Sequence, residues 1–148
     1  MPAMQPSAIG AGFAAFVQLH QPVYEKYARA RLGDQDLGHR AVALAFRRTE
    51  LGWNALLSDP RPLACAWRIL RDSVTFVRPE DTALDVDALH RELPAPAADA
   101  SVLRLDLGLQ PARVAEVMGV PEPELHVAVM AARRQLEGGE EVIIPPRP

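Results

Sequence analysis

Apolar residues recur at steps of three and four along most of the chain, the spacing of amphipathic helices. Phe13, Phe16, Val17, His20, Tyr24, Tyr27 and Arg31 follow it, placing the aromatics on one face of a first helix. Pro22 falls inside this run and predicts a kink or a split, because proline lacks the N–H an interior turn needs. Gly33-Asp34 predicts its end. A second helix is predicted from Gln35 or Gly38 to Leu57, burying Val42, Phe46, Thr49, Trp53 and Leu56. After the turn-forming run Ser58-Asp59-Pro60-Arg61-Pro62, a third helix carries Leu63, Trp67, Leu70, Val74 and Val77 and ends near Arg78-Pro79. No period-two alternation persists, so the predicted class is all-α.

The pattern divides the chain. Residues 1–10 read as a flexible leader and 11–78 as a first helical unit. Residues 79–98 change character: Glu80, Asp81, Asp85, Asp87 and Glu92 are acidic, and Pro94 and Pro96 stiffen the end. That segment reads as a solvated linker, with a short helix from about Leu84 to Leu93. Residues 99–137 form a second unit. The tail, 138–148, reads as extended or mobile, with Val142, Ile143 and Ile144 available to dock.

The second unit contains a helix-turn-helix pattern. Pro111, after Gln110, suits the first turn of a helix, where its missing N–H costs nothing. Val114, Ala115 and Met118 supply an apolar face, Gly119 a turn, and Pro121 the start of the next helix. Leu125, Val129, Ala132 and Leu136 predict that helix's buried stripe. Two short helices joined at a glycine match the DNA-binding motif whose second helix enters the major groove; an ordinary helical hairpin gives the same pattern. A rotation of about 100° per residue turns Glu124, Val127, Met130, Ala131 and Arg134 outward. Base and phosphate contacts call for Arg, Lys, Asn or Gln at such places. Arg134 alone fits, with Arg133 and His126 on the flank, while Val127, Met130 and Ala131 make a small apolar patch suited to a protein partner.

Charge points the same way. The net charge is −3, with charged residues at 24%, and lysine is nearly absent: Lys26 stands against fifteen arginines. A duplex binder usually carries a basic patch, so overall acidity argues against phosphate-driven binding. Cys65 is the single cysteine, which excludes an intrachain disulfide and a cysteine-rich metal site. It reads as a small packed residue. His20, His39, His90 and His126 show no helix-face metal spacing, and His20 reads as packed in the core. There is no glycine-rich phosphate loop and no nucleophile signature, so no enzyme and no cofactor are expected. The start of the chain resembles no signal peptide and no apolar run reaches the roughly 20 residues of a membrane span, so a cytoplasmic protein away from the membrane is expected.

With its motifs in this order, the chain resembles the extracytoplasmic-function (group IV) sigma factors of bacteria over about residues 13–78 and 98–136. FVQLHQPVYEKYARARLGD, LGHRAVALAFRR and LACAWRILRDSV are similar to successive helices of that family's region two. LDLGLQPARVAEVMGVPEPELHVAVMAARRQLE is similar to region four, which binds the upstream promoter element. The resemblance implies two small helical bundles and a role in transcription. Departures from the family fall at its contact positions. A D-x-x-Q-E run that meets core RNA polymerase is replaced at its polar positions by Arg40, Ala43 and Leu44. The segment expected to melt promoter DNA is Asn54-Ala55-Leu56-Leu57-Ser58-Asp59-Pro60, nearly empty of basic and aromatic groups. The Gly-Thr-Val-Lys-Ser-Arg of the recognition helix is replaced by Pro123-Glu124-Leu125-His126-Val127-Ala128, and a glutamate in the preceding helix by Arg113.

The expectation is therefore a sigma-factor-like regulator that lacks normal sigma activity and works mainly through protein contacts. Its candidate contact residues are Arg40, Leu44, Arg47, Leu51, Val127, Met130 and Ala131. The expected partner is another transcription regulator, a true sigma factor, RNA polymerase or a second copy. The alternative is a DNA-binding transcription factor using Gln110, Arg113, His126, Arg133 and Arg134. A third reading is a helical scaffold or ligand-binding protein with no role in transcription. If the Leu44/Leu51 and Val127/Met130 faces meet, the two units become one body.

Overall fold

The computed structural model describes residues 4–80 and 87–143, with side chains described for 10–80 and 87–137. The fold is all-α. The helices are α1 (Met4–Leu32), α2 (Gln35–Leu51), α3 (Trp53–Leu57), α4 (Pro62–Val77), α5 (Ala88–Glu92), α6 (Ala95–Ser101), α7 (Pro111–Met118) and α8 (Glu122–Ile143), with a π-helical turn over Val102–Asp106 continuing α6.

Local chemistry sets the boundaries. Gly33 takes a left-handed conformation and returns its N–H to Arg29 O at 2.8 Å, closing α1. Asp34 then caps α2, its Oδ1 accepting from Leu37 N at 2.9 Å. Gly38 lets α2 cross α1 closely: a Cβ there would lie 2.9 Å from Arg29 N. Gly52 ends α2, so the predicted helix to Leu57 is two helices, α2 and α3.

Four expectations change. α1 begins at Met4, inside the stretch read as a leader. Pro22 does not split it; Pro22 lies on the exposed face, where water can satisfy the carbonyl it leaves unbonded. The segment read as a linker holds α5 and most of α6, and Asp87 is buried rather than solvated. Asp81, Asp85 and Leu84 lie outside the described residues. α8 runs to Ile143, through much of the predicted tail, while Ile144 lies outside the described residues.

Among the described residues, the largest core cluster spans both units. Tyr24, Tyr27, Phe46, Trp67, Leu70 and Val74 of the first unit share a cluster with Leu103, Val114, Val117, Met118 and Leu125 of the second. α7 packs on α4, and the π-helical turn on α1. The α7–α8 turn presses on the start of α4: a Cβ on Gly119, itself left-handed, would run into Ala64 N and lie 2.6 Å from Leu63 C. A smaller cluster of Leu93, Ala97, Ala98 and Ala132 holds α8 against α6. The two units share this core through faces other than Leu44/Leu51 and Val127/Met130: Leu51 and Val127 are exposed, and Leu44 and Met130 are half-buried.

Candidate interaction surfaces

The join is fastened by two buried carboxylates. Asp99, on α6, is fully buried. Tyr27 Oη donates to its Oδ1 at 2.5 Å and Trp67 Nε1 to its Oδ2 at 2.8 Å. His90 Nε2 lies 2.5 Å from Oδ1, and Arg71 Nη1 lies 3.7 Å from Oδ2. Asp87 takes a two-pronged contact from Arg31, Nε at 3.1 Å and Nη2 at 2.6 Å, and a third from Arg78 Nη1 at 2.7 Å. His90 Nδ1 stands 2.8 Å from Asp87 Oδ1, an ion-pair contact off the line of a hydrogen bond. Helices α1, α4, α5 and α6 therefore converge on one charge network.

The network sets the charge states. Burial opposes a charge on His90, but its contacts with Asp87 and Asp99 outweigh this and raise its pKa above the usual histidine value. Burial likewise opposes ionisation of Asp87, yet His90 and Arg31 hold its carboxyl well below the usual range. Tyr27, buried beside Asp99, keeps its proton. Apart from His90 Nδ1, these buried groups satisfy one another, which suits a structural clasp. Among the described residues no cluster of His, Cys, Asp and Glu is arranged to hold a metal, and no helix is long and apolar enough to cross a membrane.

Two outward surfaces carry the candidate contact residues. On α8, Leu125 and Ala132 are buried and Val129 half-buried, as the stripe predicts. Leu136 departs from it at 43% exposure, because α8 runs past its support on α6. Val127 is 67% exposed; Glu124, Ala131, Arg133 and Arg134 are exposed and Met130 is half-buried. Glu122 and Glu124 occupy the first turn, and Glu124 pairs with Arg61 at 3.4 Å. That end is acidic where a recognition helix would approach phosphate. His126 lies exposed at the rim of a groove lined by Arg104, Pro111, Glu122, Leu125 and Val129. Gln110 is exposed ahead of α7. Arg113 is half-buried, pairs with Glu116 and lies close enough to His20 to lower its pKa, after burial. Of the five residues expected to contact DNA, Gln110, His126, Arg133 and Arg134 are exposed and Arg113 is half-buried.

The second surface joins α2 to α4. Arg40, Arg47 and Leu51 are exposed, Leu51 to 83%, and Leu44 is half-buried. Phe76 of α4 adds a ring 72% exposed, under the Arg48 guanidinium at 5.1 Å. Sequence reasoning passed over Phe76 and Arg48. The signal was present: Phe76 falls off the Leu70–Val74–Val77 stripe, and a large apolar side chain off the stripe faces outward.

No family model, curated protein or solved structure matches this chain. The surfaces themselves and the sequence resemblance therefore carry the functional reading.

Proposed function

We propose that the chain is a sigma-factor-like regulator of transcription that lacks ordinary sigma activity and acts mainly by binding another protein. One observation carries the reading. The α2 face that resembles the sigma family's polymerase-binding face presents Leu44 and Leu51 among arginines, beside Phe76, in place of the family's Asp, Gln and Glu. A surface with exposed leucine and phenylalanine is a protein-contact surface more readily than a nucleic-acid one. The shared core supports it further, since the two units have fixed relative positions. Reconstituted transcription with bacterial core polymerase is the direct test of sigma activity: no promoter-specific initiation is expected, and specific initiation would overturn the reading. In the producing cell, Leu51→Glu should change the transcripts that respond to the protein.

A DNA-binding transcription factor is the second reading, favoured by the exposed Gln110, Arg133 and Arg134 beside the helix–turn–helix of α7 and α8. It requires salt-dependent duplex binding that replacement of Arg133 and Arg134 abolishes.

A further inference from the structure

We propose that the stripe of Leu44, Arg48 and Leu51 on α2, together with Phe76 on α4, is the docking face for an acidic amphipathic helix of a partner protein. The proposal rests on the protein-contact reading above and gives the partner a chemistry. Leu44, Arg48 and Leu51 are spaced at i, i+4 and i+7, so they share one face of α2. Trp53 packs with Ala66 and Ile69 near the start of α4, while Arg48 reaches Ser73 and Phe76 near its end. The two helices therefore run antiparallel, and Arg48 and Phe76 meet across them on the outer face. None of Leu44, Leu51 and Phe76 belongs to the packed core.

The charge on this face is positioned. Arg48 lies over the Phe76 ring and its Nη1 reaches Ser73 Oγ at 3.5 Å, which holds the guanidinium of α2 against α4. Arg40 and Arg47 flank the leucines, and among the described residues no carboxylate pairs with Arg40, Arg47 or Arg48. Asp72, one turn before Phe76 on α4, and Glu50, about a third of a turn from Leu44, are the carboxylates at the margins.

These features choose the occupant. Leucines seven residues apart stand roughly 10 Å apart along the axis, two helical turns, which apolar groups at i and i+7 of a third helix would match. Covering the leucines and Phe76 draws the arginines out of water. Unpaired, they would oppose binding; carboxylates along the partner's flanks would accept from them, two-pronged where geometry allows. Duplex DNA could pair with the arginines, but its charged backbone offers nothing to Leu44, Leu51 and Phe76. A second copy meeting this face with its own would set the arginines against each other.

The test uses the full chain and a designed peptide: a helix of about three heptads with leucines on one face and glutamates flanking them. A control peptide carries lysines in place of the glutamates. Peptide binding is followed by fluorescence anisotropy, and its location by amide shifts of the isotope-labelled protein. The glutamate peptide should bind, shift Leu44, Arg48, Leu51 and Phe76, and weaken at least tenfold with Phe76→Ala or with Arg47→Glu. Both positions lie on the surface, and circular dichroism would verify that the variants fold. The lysine peptide should bind at least tenfold more weakly. Absence of binding, equal binding of the two peptides, shifts centred on α8, or displacement by duplex DNA would overturn the proposal. If it fails while Leu51→Glu still alters transcription in the cell, the protein-contact reading stands and the acidic helix is wrong. If both fail, the face is not an interface.

Discussion

At the scale of single residues, Asp99 has the greatest leverage. It is fully buried, accepts from Tyr27 and Trp67, and lies against His90 and Arg71. Asp99→Ala leaves those donors facing one another in a dry site, and breaking a buried charge pair costs about 3–5 kcal/mol. A fall in Tm of roughly 10 °C is expected, with Tyr27→Phe costing only about 1 kcal/mol because Asp99 keeps its other donors and Arg31, which also donates to Tyr27 Oη, keeps its contact with Asp87. An Asp99→Ala protein melting with the native one would refute this account. The histidines add a pH signature. His90 has a raised pKa in the fold, so its contribution is complete below its unfolded value of about 6.5 and declines as pH rises through the folded value. His20 is the opposite: burial foremost, then Arg113, lowers its pKa, so its contribution is complete above about 6.5 and declines as pH falls. His90→Gln should therefore cost more at about pH 5.5 than at pH 8, and His20→Leu should relatively gain at the lower pH. Thermal melts of both variants across that range check the signs, and parallel shifts would contradict them.

At the scale of elements, the stripes along α1, α2 and α4 were legible because each helix buries one face at its own period: Tyr24 and Tyr27, Val42 and Phe46, Trp67, Leu70 and Val74 are all buried. What stayed hidden depends on distant partners. Asp87 sits in an acidic run and reads as solvated until Arg31, 56 residues away, is placed beside it. Asp99 pairs with Tyr27 across 72 residues, and the only local hint is a lone acid among Ala97, Ala98 and Ala100. Leu51 and Val127 were readable as exposed, while Leu44 and Met130 are half-buried and the contacts joining the units were not readable. Gly119 shows the difference. As a turn residue it was evident; its approach to α4 was not. Gly119→Ala meets both a left-handed backbone and the main chain of Leu63 and Ala64, which cannot yield as a side-chain tip would. Strain alone costs roughly 1–2 kcal/mol, and moving α7 off α4 adds to it, so destabilisation beyond about 2 kcal/mol is expected. Urea titration would measure it; a loss below about 0.5 kcal/mol, typical of neutral surface changes, would show that the turn does not bear on α4.

At the scale of the molecule, the decisive property is that the second unit completes the core of the first. Val114, Val117, Met118 and Leu125 lie in the same cluster as Tyr24, Phe46 and Trp67, and Asp99 closes the polar layer over Tyr27 and Trp67. Removing residues 87–143 would expose those aromatics and leave Arg31 without its carboxylate. The two units should therefore unfold together, as single domains of this size commonly do. Trp53 and Trp67 both lie in the first unit, and Trp67 also touches Asp99 across the join, so a dye on α8 is needed to follow the second unit by itself. With Cys65→Ser and Arg134→Cys, a dye on the exposed 134 position would do so. Tryptophan and dye signals should give coincident urea transitions with one midpoint. A first-unit fragment ending at residue 80 should show lower helicity and no cooperative transition. Separate midpoints, with the fragment folded alone, would mean that the units are independent bodies and that α8 is free to move relative to the α2–α4 face. Coincidence would mean that a partner seated on α2 and α4 meets α8 at a fixed place, so binding at one face constrains what can approach the other.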